Sequence, residues 1–176
     1  MDAKTWNMDS FVPIADVVKA VGLRGEVKLY PLLDFHAPLL ETAYLIWDDG
    51  SQAAMEKARP AGSAVAVKPA GCDDRDQAES LVGRQLGFQR DRYLEAEFPR
   101  PQGGLPFRYE DREVLTVDGL SLGMVHEVRR YTGQTLLVIM HDGREVMIPA
   151  VEPILRSDDG LEGPLVVDLP EGLLDA

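Results

Sequence analysis

The sequence is poor in the residues that disulfide bonding, membrane insertion and secretion require. Cys72 is the one cysteine among 176 residues, which excludes an internal disulfide and fits a reducing compartment. No stretch approaches the roughly 18–20 consecutive apolar residues of a membrane-spanning helix. Residues 1–7 have no apolar core behind a basic start, so a secretory signal is not expected. These absences predict a soluble cytoplasmic protein.

Groupings of residues that carry catalysis or bind metal are also missing. His36, His126 and His141 do not stand at metal-ligand spacing from one another or from Cys72. The sequence contains no Gly-x-Ser-x-Gly elbow and no phosphate-binding glycine loop of the known types. Acidic pairs such as Asp48-Asp49 fall in predicted turns, where carboxylates are usually solvated. We therefore expect no catalytic residue, no metal ligand and no cofactor.

Positive charge is scarce. Eighteen Lys and Arg stand against 30 Asp and Glu, a formal net charge of −12. A protein that holds nucleic acid through phosphate contacts should carry a basic stripe, whereas the densest basic pair here is Arg129-Arg130. Such acidity either keeps a protein soluble or fits a basic partner such as a ribosomal protein or a histone. The charge by itself does not choose between these two roles.

The clearest local element is a hairpin around Gly22-Leu23-Arg24-Gly25. β-branched residues predict a strand over Phe11–Lys19, and Glu26–Tyr30 alternates like a half-buried strand. Because glycine tolerates positive φ, the four residues between them predict a tight turn with Arg24 exposed at its tip. Gly-x-x-Gly loops also clamp nucleotides in KH domains, but helices flank those loops. Direct RNA contact is thus the minor alternative for Arg24 and its neighbours Lys19 and Lys28.

Short strands separated by turn residues fill most of the remaining chain, which predicts small β-barrels. Ala43–Trp47 is expected to return through Asp48-Asp49-Gly50 along Ser51–Ala58. One helix is predicted, over Asp73–Val82, where Asp74 and Gln77 approximate a capping box. Its apolar face should consist of Ala78, Leu81 and Val82. Further along, Pro149–Leu155 is expected to be extended because it contains two prolines.

A proline- and glycine-rich break interrupts the chain between Phe98 and Pro106. It predicts a mainly β protein of two small β-barrels with one short helix: a domain over residues 9–97, a linker over 98–106 and a domain over 107–176. Phe107-Arg108-Tyr109 follow the break directly. Large aromatics beside arginine are typical interface anchors. Alternatively, Phe107 and Tyr109 seal the gap between the domains.

Several segments resemble, in the right order, one known family. They are Ile14–Leu29, Arg75–Leu86, Gly119–Val128, Glu145–Val151 and Val166–Asp175. Over nearly the whole chain these segments are similar to bacterial ribosome maturation factors of the RimM family. The resemblance implies a six-stranded N-terminal barrel like those of translation factors, followed by a PRC barrel.

The resemblance also implies a function without enzymatic activity. Members of that family assist ribosome biogenesis by maturation of the small subunit and processing of its rRNA. The implied partners are a basic ribosomal protein of the small-subunit head, the nineteenth small-subunit protein, and the precursor small subunit with its rRNA. We expect no membrane partner and a monomeric protein. The alternatives are an acidic PRC-barrel adaptor for another basic protein and an rRNA-processing enzyme.

The residues expected to bind a partner come from the junction and from exposed basic positions. The family usually has paired aromatics, then Asp-Leu and a glycine, where its second domain begins. Here Arg108 interrupts the aromatics and Arg112 stands in place of the usual Leu. The resemblance carries the binding role of that pair to Phe107 and Tyr109. The full set of candidate partner-binding residues is Phe107, Arg108, Tyr109, Arg24, Gly25, Arg129 and Arg130.

Overall fold

The computed structural model describes residues 6–158 and 160–174. The contacts of the chain divide it into two compact units, with the division between Pro99 and Arg100. This division falls inside the segment that the sequence predicts to be a linker, while the predicted limits of 98–106 stay a prediction. No helix in the described residues is long and apolar enough to cross a membrane.

The first unit is a curled antiparallel sheet. Its strands among the described residues are β1 (Phe11–Val21), β2 (Glu26–Pro31), β3 (Ile46–Trp47), β4 (Met55–Ala61), β5 (Ala64–Pro69) and β6 (Gln85–Gln89). They lie in the order β3-β6-β1-β2-β5-β4. The stretch between β3 and β4 joins the two ends of the sheet, because Gln52 bridges Ile46 and the Ala70 N–H donates to the Ala54 oxygen at 2.9 Å. The expected N-terminal β-barrel is confirmed.

The hairpin predicted after Ala43 forms over a shorter stretch than expected, because the Trp47 N–H donates to the Ser51 oxygen at 2.8 Å and the Ala53 N–H donates to the Leu45 oxygen at 2.9 Å, but the pairing ends there. The turn itself forms, with the Gly50 N–H donating to the Trp47 oxygen at 2.8 Å. However, β3 has only two residues, and β4 begins at Met55 and pairs with β5. The Gln52 side chain donates to the Ala43 and Leu45 oxygens within this short hairpin, and after Ala53 the chain continues to β4. A turn signal predicts a reversal but does not identify the neighbour of the next strand.

The described residues contain two short α-helices where the sequence predicts one. They are α1 (Ala37–Leu40) and α2 (Arg75–Ser80). The capping of α2 is reciprocal, because Asp74 Oδ1 accepts from the Gln77 N–H at 2.8 Å and Gln77 Oε1 accepts from the Asp73 N–H at 2.7 Å. Ala78 is buried as expected. Val82 lies beyond the end of the helix and is 43% exposed, so its predicted burial is wrong.

An aromatic cluster forms part of the core of the first unit. The ring of Phe98 lies 4.8 Å from that of Phe88, 5.4 Å from that of Tyr93 and 5.0 Å from that of Tyr44. Phe98 is almost fully buried, although the sequence pattern assigns it to the linker. Such ring pairs contribute about 0.5–1.5 kcal/mol beyond the burial of their area. The packed first unit therefore extends at least to Phe98.

The second unit is also a β-sheet. Its strands among the described residues are β7 (Glu113–Thr116), β8 (Ser121–Tyr131), β9 (Gln134–His141), β10 (Arg144–Pro149), β11 (Leu155–Ser157) and β12 (Leu165–Val167). Their order is β10-β9-β8-β7-β12-β11, and only the β7–β12 pair among these is parallel. The expected extended conformation of Pro149–Leu155 is wrong, because the chain turns there and the Leu155 N–H donates to the Val151 oxygen at 2.9 Å.

The core of the second unit follows from alternation along the strands. Inward positions carry branched aliphatic side chains that are nearly inaccessible to solvent, such as Val125, Leu137, Ile139 and Ile148. Burial of each large aliphatic side chain contributes roughly 1.5–3 kcal/mol. The residues that alternate with these inward positions on β8, β9 and β10 point to the outer face of the sheet. The strand register therefore determines which side chains lie on that face.

Candidate partner-binding site

The segment at the start of the second unit folds into a short 3₁₀ turn, Pro106–Arg108. Tyr109, directly after it, is 2% exposed and belongs to the core of the unit, with its hydroxyl donating to the Gly103 oxygen at 2.8 Å. Phe107 and Arg108 are half-buried. The structure therefore places Tyr109 beneath the surface, so that Phe107 and Arg108 present the accessible part of this segment.

Arg108 is held in a defined position. Its guanidinium lies 5.1 Å from the centre of the Tyr109 ring and forms an ion pair with the Asp158 carboxylate. A cation over an aromatic face is attracted to the ring as well as to the carboxylate. Tyr109 thus supports the arginine that interrupts the expected aromatic pair.

Arg112 joins this segment to a second loop of the same unit. It is 5% exposed, and it donates to the carbonyl oxygens of Gly163 at 2.8 Å, Arg108 at 3.0 Å and Glu162 at 3.1 Å. The planar guanidinium can donate several hydrogen bonds in a fixed geometry, which a leucine cannot replace. The departure from the family pattern at Arg112 is therefore accommodated by hydrogen bonds across the unit.

A cavity of about 330 Å³ lies beside Arg108 in the second unit. Charged side chains of both signs line it, and two of its arginines are paired: Arg108 with Asp158, and Arg156 with Asp168 at 2.6 Å. The remaining lining includes Gly103, Gly104, Tyr109, Val151 and Leu155. A partly apolar hollow beside an oriented arginine is suited to receive a side chain of a protein partner.

The hairpin tip of the first unit matches the sequence-based expectation in its exposure. Arg24 is exposed and forms no hydrogen bond or ion pair within the described part of the chain. Lys19 and Lys28 stand opposite each other on β1 and β2, below the tip. Lys68, which lies near Arg24, is held by the Cys72 oxygen at 2.6 Å and by Asp73 at 3.1 Å. The candidate RNA-contacting residues therefore share one hairpin.

Gly25 has a structural reason to be glycine. Its φ is +81°, and a Cβ on this residue would lie 1.9 Å from the carbonyl oxygen of Cys72. Cys72 itself is buried, and this burial raises the pKa of its thiol. The close approach of Gly25 fixes the turn against the loop that precedes α2. Of the two candidate partner-binding residues at this tip, only Arg24 has a side chain that a partner can reach.

Arg129 and Arg130 are not a basic patch. Arg129 donates to Glu127 at 2.7 Å and 2.9 Å and to Glu145 at 2.7 Å and 3.2 Å, a cluster that we call the Glu–Arg–Glu clasp. These hydrogen bonds raise the pKa of Arg129 and lower the pKa values of both carboxyls. Arg130 is half-buried on β8 opposite Thr135. The clasp carries a net negative charge.

Three residues that the sequence pattern does not select stand out at the surface of the second unit. Met124, Met140 and Met147 are 52%, 50% and 45% exposed. The alternation of β8, β9 and β10 places them outward, which could have been deduced from the register had the pairing been known. The buried state of Arg112 has no comparable signal, since arginine is usually a surface residue.

Comparisons with known proteins assign both units of the chain to the same family. Residues 12–93 match the family model described as the RimM N-terminal domain, and residues 104–173 match the one described as the RimM PRC barrel domain. The chain belongs to the RimM family. The expected PRC barrel in the second unit is thereby confirmed.

Relatives within the RimM family cover nearly all of the chain. The ribosome maturation factor RimM of Clostridioides difficile (strain 630) is 31% identical and aligns over 92% of this chain and 95% of its own. That of Synechococcus sp. (strain WH7803) is 32% identical over 95% of this chain and 98% of its own. A crystal structure of a 16S ribosomal RNA processing protein RimM from Pseudomonas aeruginosa is 24% identical, covers 91% of this chain and 98% of that one, and has a TM-score of 0.44.

Proposed function

We propose that this RimM family member is a non-enzymatic assembly factor that acts in the cytoplasm. It binds a basic ribosomal protein of the small-subunit head, the nineteenth small-subunit protein, and promotes maturation of the small subunit and processing of its rRNA. The succession of the two RimM family models over most of the chain carries the proposal. The relatives named above are themselves ribosome maturation factors.

The charge of the molecule supports a basic partner. The net charge is −12, and several of the arginines are neutralised within the protein by ion pairs with carboxylates, among them Arg84, Arg108, Arg129 and Arg156. The excess charge of the chain is acidic, with 30 Asp and Glu against 18 Lys and Arg. Acidic surfaces speed the association of basic proteins and disfavour acidic ones.

The first contact surface in this proposal is the Phe107–Arg108 segment with the adjoining cavity. Phe107 is half-buried, and Arg108 is oriented by Tyr109 and Asp158. Aromatic and arginine side chains that are already ordered lose little conformational entropy on binding. Tyr109 acts through Arg108 and the packing below it.

Calorimetric titration of the purified ribosomal protein tests this assignment. Replacement of Phe107 by Ala should weaken binding about tenfold, the effect of losing an interface anchor worth more than about 1 kcal/mol. Tyr30→Ala is the matched control, because Tyr30 is an exposed aromatic in the first unit. Equal affinities of the Phe107→Ala variant and the wild type would remove the segment from the interface.

The absence of catalysis is tested separately. Purified protein incubated with precursor rRNA and magnesium should leave the RNA intact when no other factor is present. Cleavage that increases with protein concentration would favour the rRNA-processing enzyme instead.

A further inference from the structure

We infer that the outer face of the β8–β9–β10 sheet is a second docking surface for a basic protein segment that carries apolar side chains. This inference rests on the proposed function, because it names the surface and the chemistry with which the basic partner is held. We call this surface the methionine face and define it by Met124, Met140 and Met147.

The three methionines lie together on one face. Val125 pairs with Ile139, and both are buried in the core, so the residues next to them, Met124 and Met140, point outward from adjacent strands. Met140 pairs with Glu145 on β10, and Met147 lies two residues further along that strand. Side chains at such diagonal positions are within reach of each other.

A fully buried valine, Val138, stands beside Met147 on the neighbouring strand. Glu127, Val138 and Met147 stand side by side across β8, β9 and β10. Val138 is fully buried but does not belong to the inner core cluster of the unit, which contains Leu137 and Ile139. On the same strands, Arg129 Nη1 donates to Glu145 and lies 3.8 Å from Met147 Sδ.

The charged groups around the methionine face are mainly acidic. Glu113 pairs across the strands with Met124, Glu145 pairs with Met140, and Glu127 stands in the row of Met147. The cation among them, Arg129, is shared by Glu127 and Glu145. A segment with Lys or Arg beside apolar residues would find both apolar contact and opposite charge here.

The chemistry of methionine suits this role. Its side chain is unbranched and polarizable, so a methionine-rich surface can adapt to the shape of an apolar partner. Exposed apolar side chains grouped on one face mark interaction sites more often than single exposed ones do, and these three are about half exposed. This exposure of the three methionine side chains leaves the face accessible to a partner.

Paired substitutions in the full-length chain test the inference. Met140→Lys with Met147→Lys removes apolar contact and adds positive charge, and it should lower the affinity for the purified head protein at least tenfold. Met140→Leu with Met147→Leu keeps the apolar contact and should stay within threefold of the wild type. Leu94→Lys is the control, because Leu94 is an exposed apolar residue of the first unit. It should also stay within threefold.

The outcomes separate this inference from the proposed function. If the wild type binds and the double-lysine variant binds equally well, the methionine face is not a docking surface, while the proposed function stands. If the wild type binds neither the head protein nor precursor small subunits, this result contradicts both the proposed function and the inference about the methionine face. Thermal melts check folding. Should the double-lysine variant melt early, Met140→Gln with Met147→Gln replaces it, with a severalfold loss of affinity expected and unchanged affinity contradicting the inference.

Discussion

Two single residues, Gly25 and Arg112, fix the loops on which the candidate sites depend. Gly25 holds the hairpin tip against the carbonyl of Cys72, and Arg112 ties the Phe107–Arg108 segment to the loop at Gly163. The sequence pattern predicts the glycine turn, because positive φ is a local requirement. It does not predict the contact with Cys72 or the burial of Arg112, since both depend on residues distant in the chain.

Substitution of Gly25 by Ala should be strongly destabilising. The new Cβ would meet the Cys72 oxygen at 1.9 Å in a residue with φ of +81°. We expect the free energy of unfolding to fall by more than about 3 kcal/mol. The control is Gly22→Ala, with φ of +64° but open space around its Cβ, where only the backbone cost of about 1–2 kcal/mol applies. Urea unfolding followed by circular dichroism measures both, and equal losses would refute the close-approach argument.

Replacement of Arg112 by Leu should also destabilise the second unit, although Leu is the usual family residue. The substitution leaves the carbonyl oxygens of Gly163, Glu162 and Arg108 without this donor. Each buried polar group left unsatisfied costs about 1–3 kcal/mol. Arg144→Leu is the control, because Arg144 is exposed. A urea midpoint that falls no further for Arg112→Leu than for Arg144→Leu would show that the hydrogen bonds contribute nothing net.

At the scale of elements, the Glu–Arg–Glu clasp connects β8 to β10 across β9. Its hydrogen bonds lower the pKa values of the Glu127 and Glu145 carboxyls below the ordinary value of 4.5. A lowered pKa in the folded state contributes stability above the ordinary pKa, and this contribution is lost as the pH falls through the folded value. Because the side chains are partly exposed, the contribution is small and salt-dependent.

NMR titration of the glutamate carboxyl carbons measures this effect directly. In the wild type, Glu127 and Glu145 should titrate below 4.5, and both pKa values should rise in the Arg129→Ala variant. Arg144→Ala serves as the control, because Arg144 adjoins Glu145 in sequence and lies outside the clasp. Unchanged glutamate pKa values in Arg129→Ala would mean that the clasp does not persist in solution.

Strands were the most predictable elements, and their partners the least. The strand pattern locates β1 and β2 closely, because alternation records which side chains are buried. The end of the hairpin at Ala53 and the pairing of β4 with β5 were not predicted, since a turn signal does not show how far the return strand stays paired. The burial of Tyr109 was hidden in the same way, because an aromatic suits a core as well as an interface.

At the scale of the whole molecule, two acidic β units follow each other in the order typical of the RimM family. The fold class was predictable from the resemblance and from the strand pattern together. The candidate partner-binding residues were less predictable, because Arg129 and Gly25 form contacts within the protein, whereas the exposed methionines belong to no motif. Binding of a basic head protein would make use of the accessible acidic and apolar surface.

Sedimentation of cell extract tests the proposed function most directly. The protein should migrate with precursor small subunits and be absent from mature ribosomes, because an assembly factor leaves once its subunit is complete. Addition of the Phe107→Ala variant in place of the wild type should reduce the co-migrating fraction, whereas Tyr30→Ala should not. Migration only at the top of the gradient, with no binding to the purified head protein, would contradict the account.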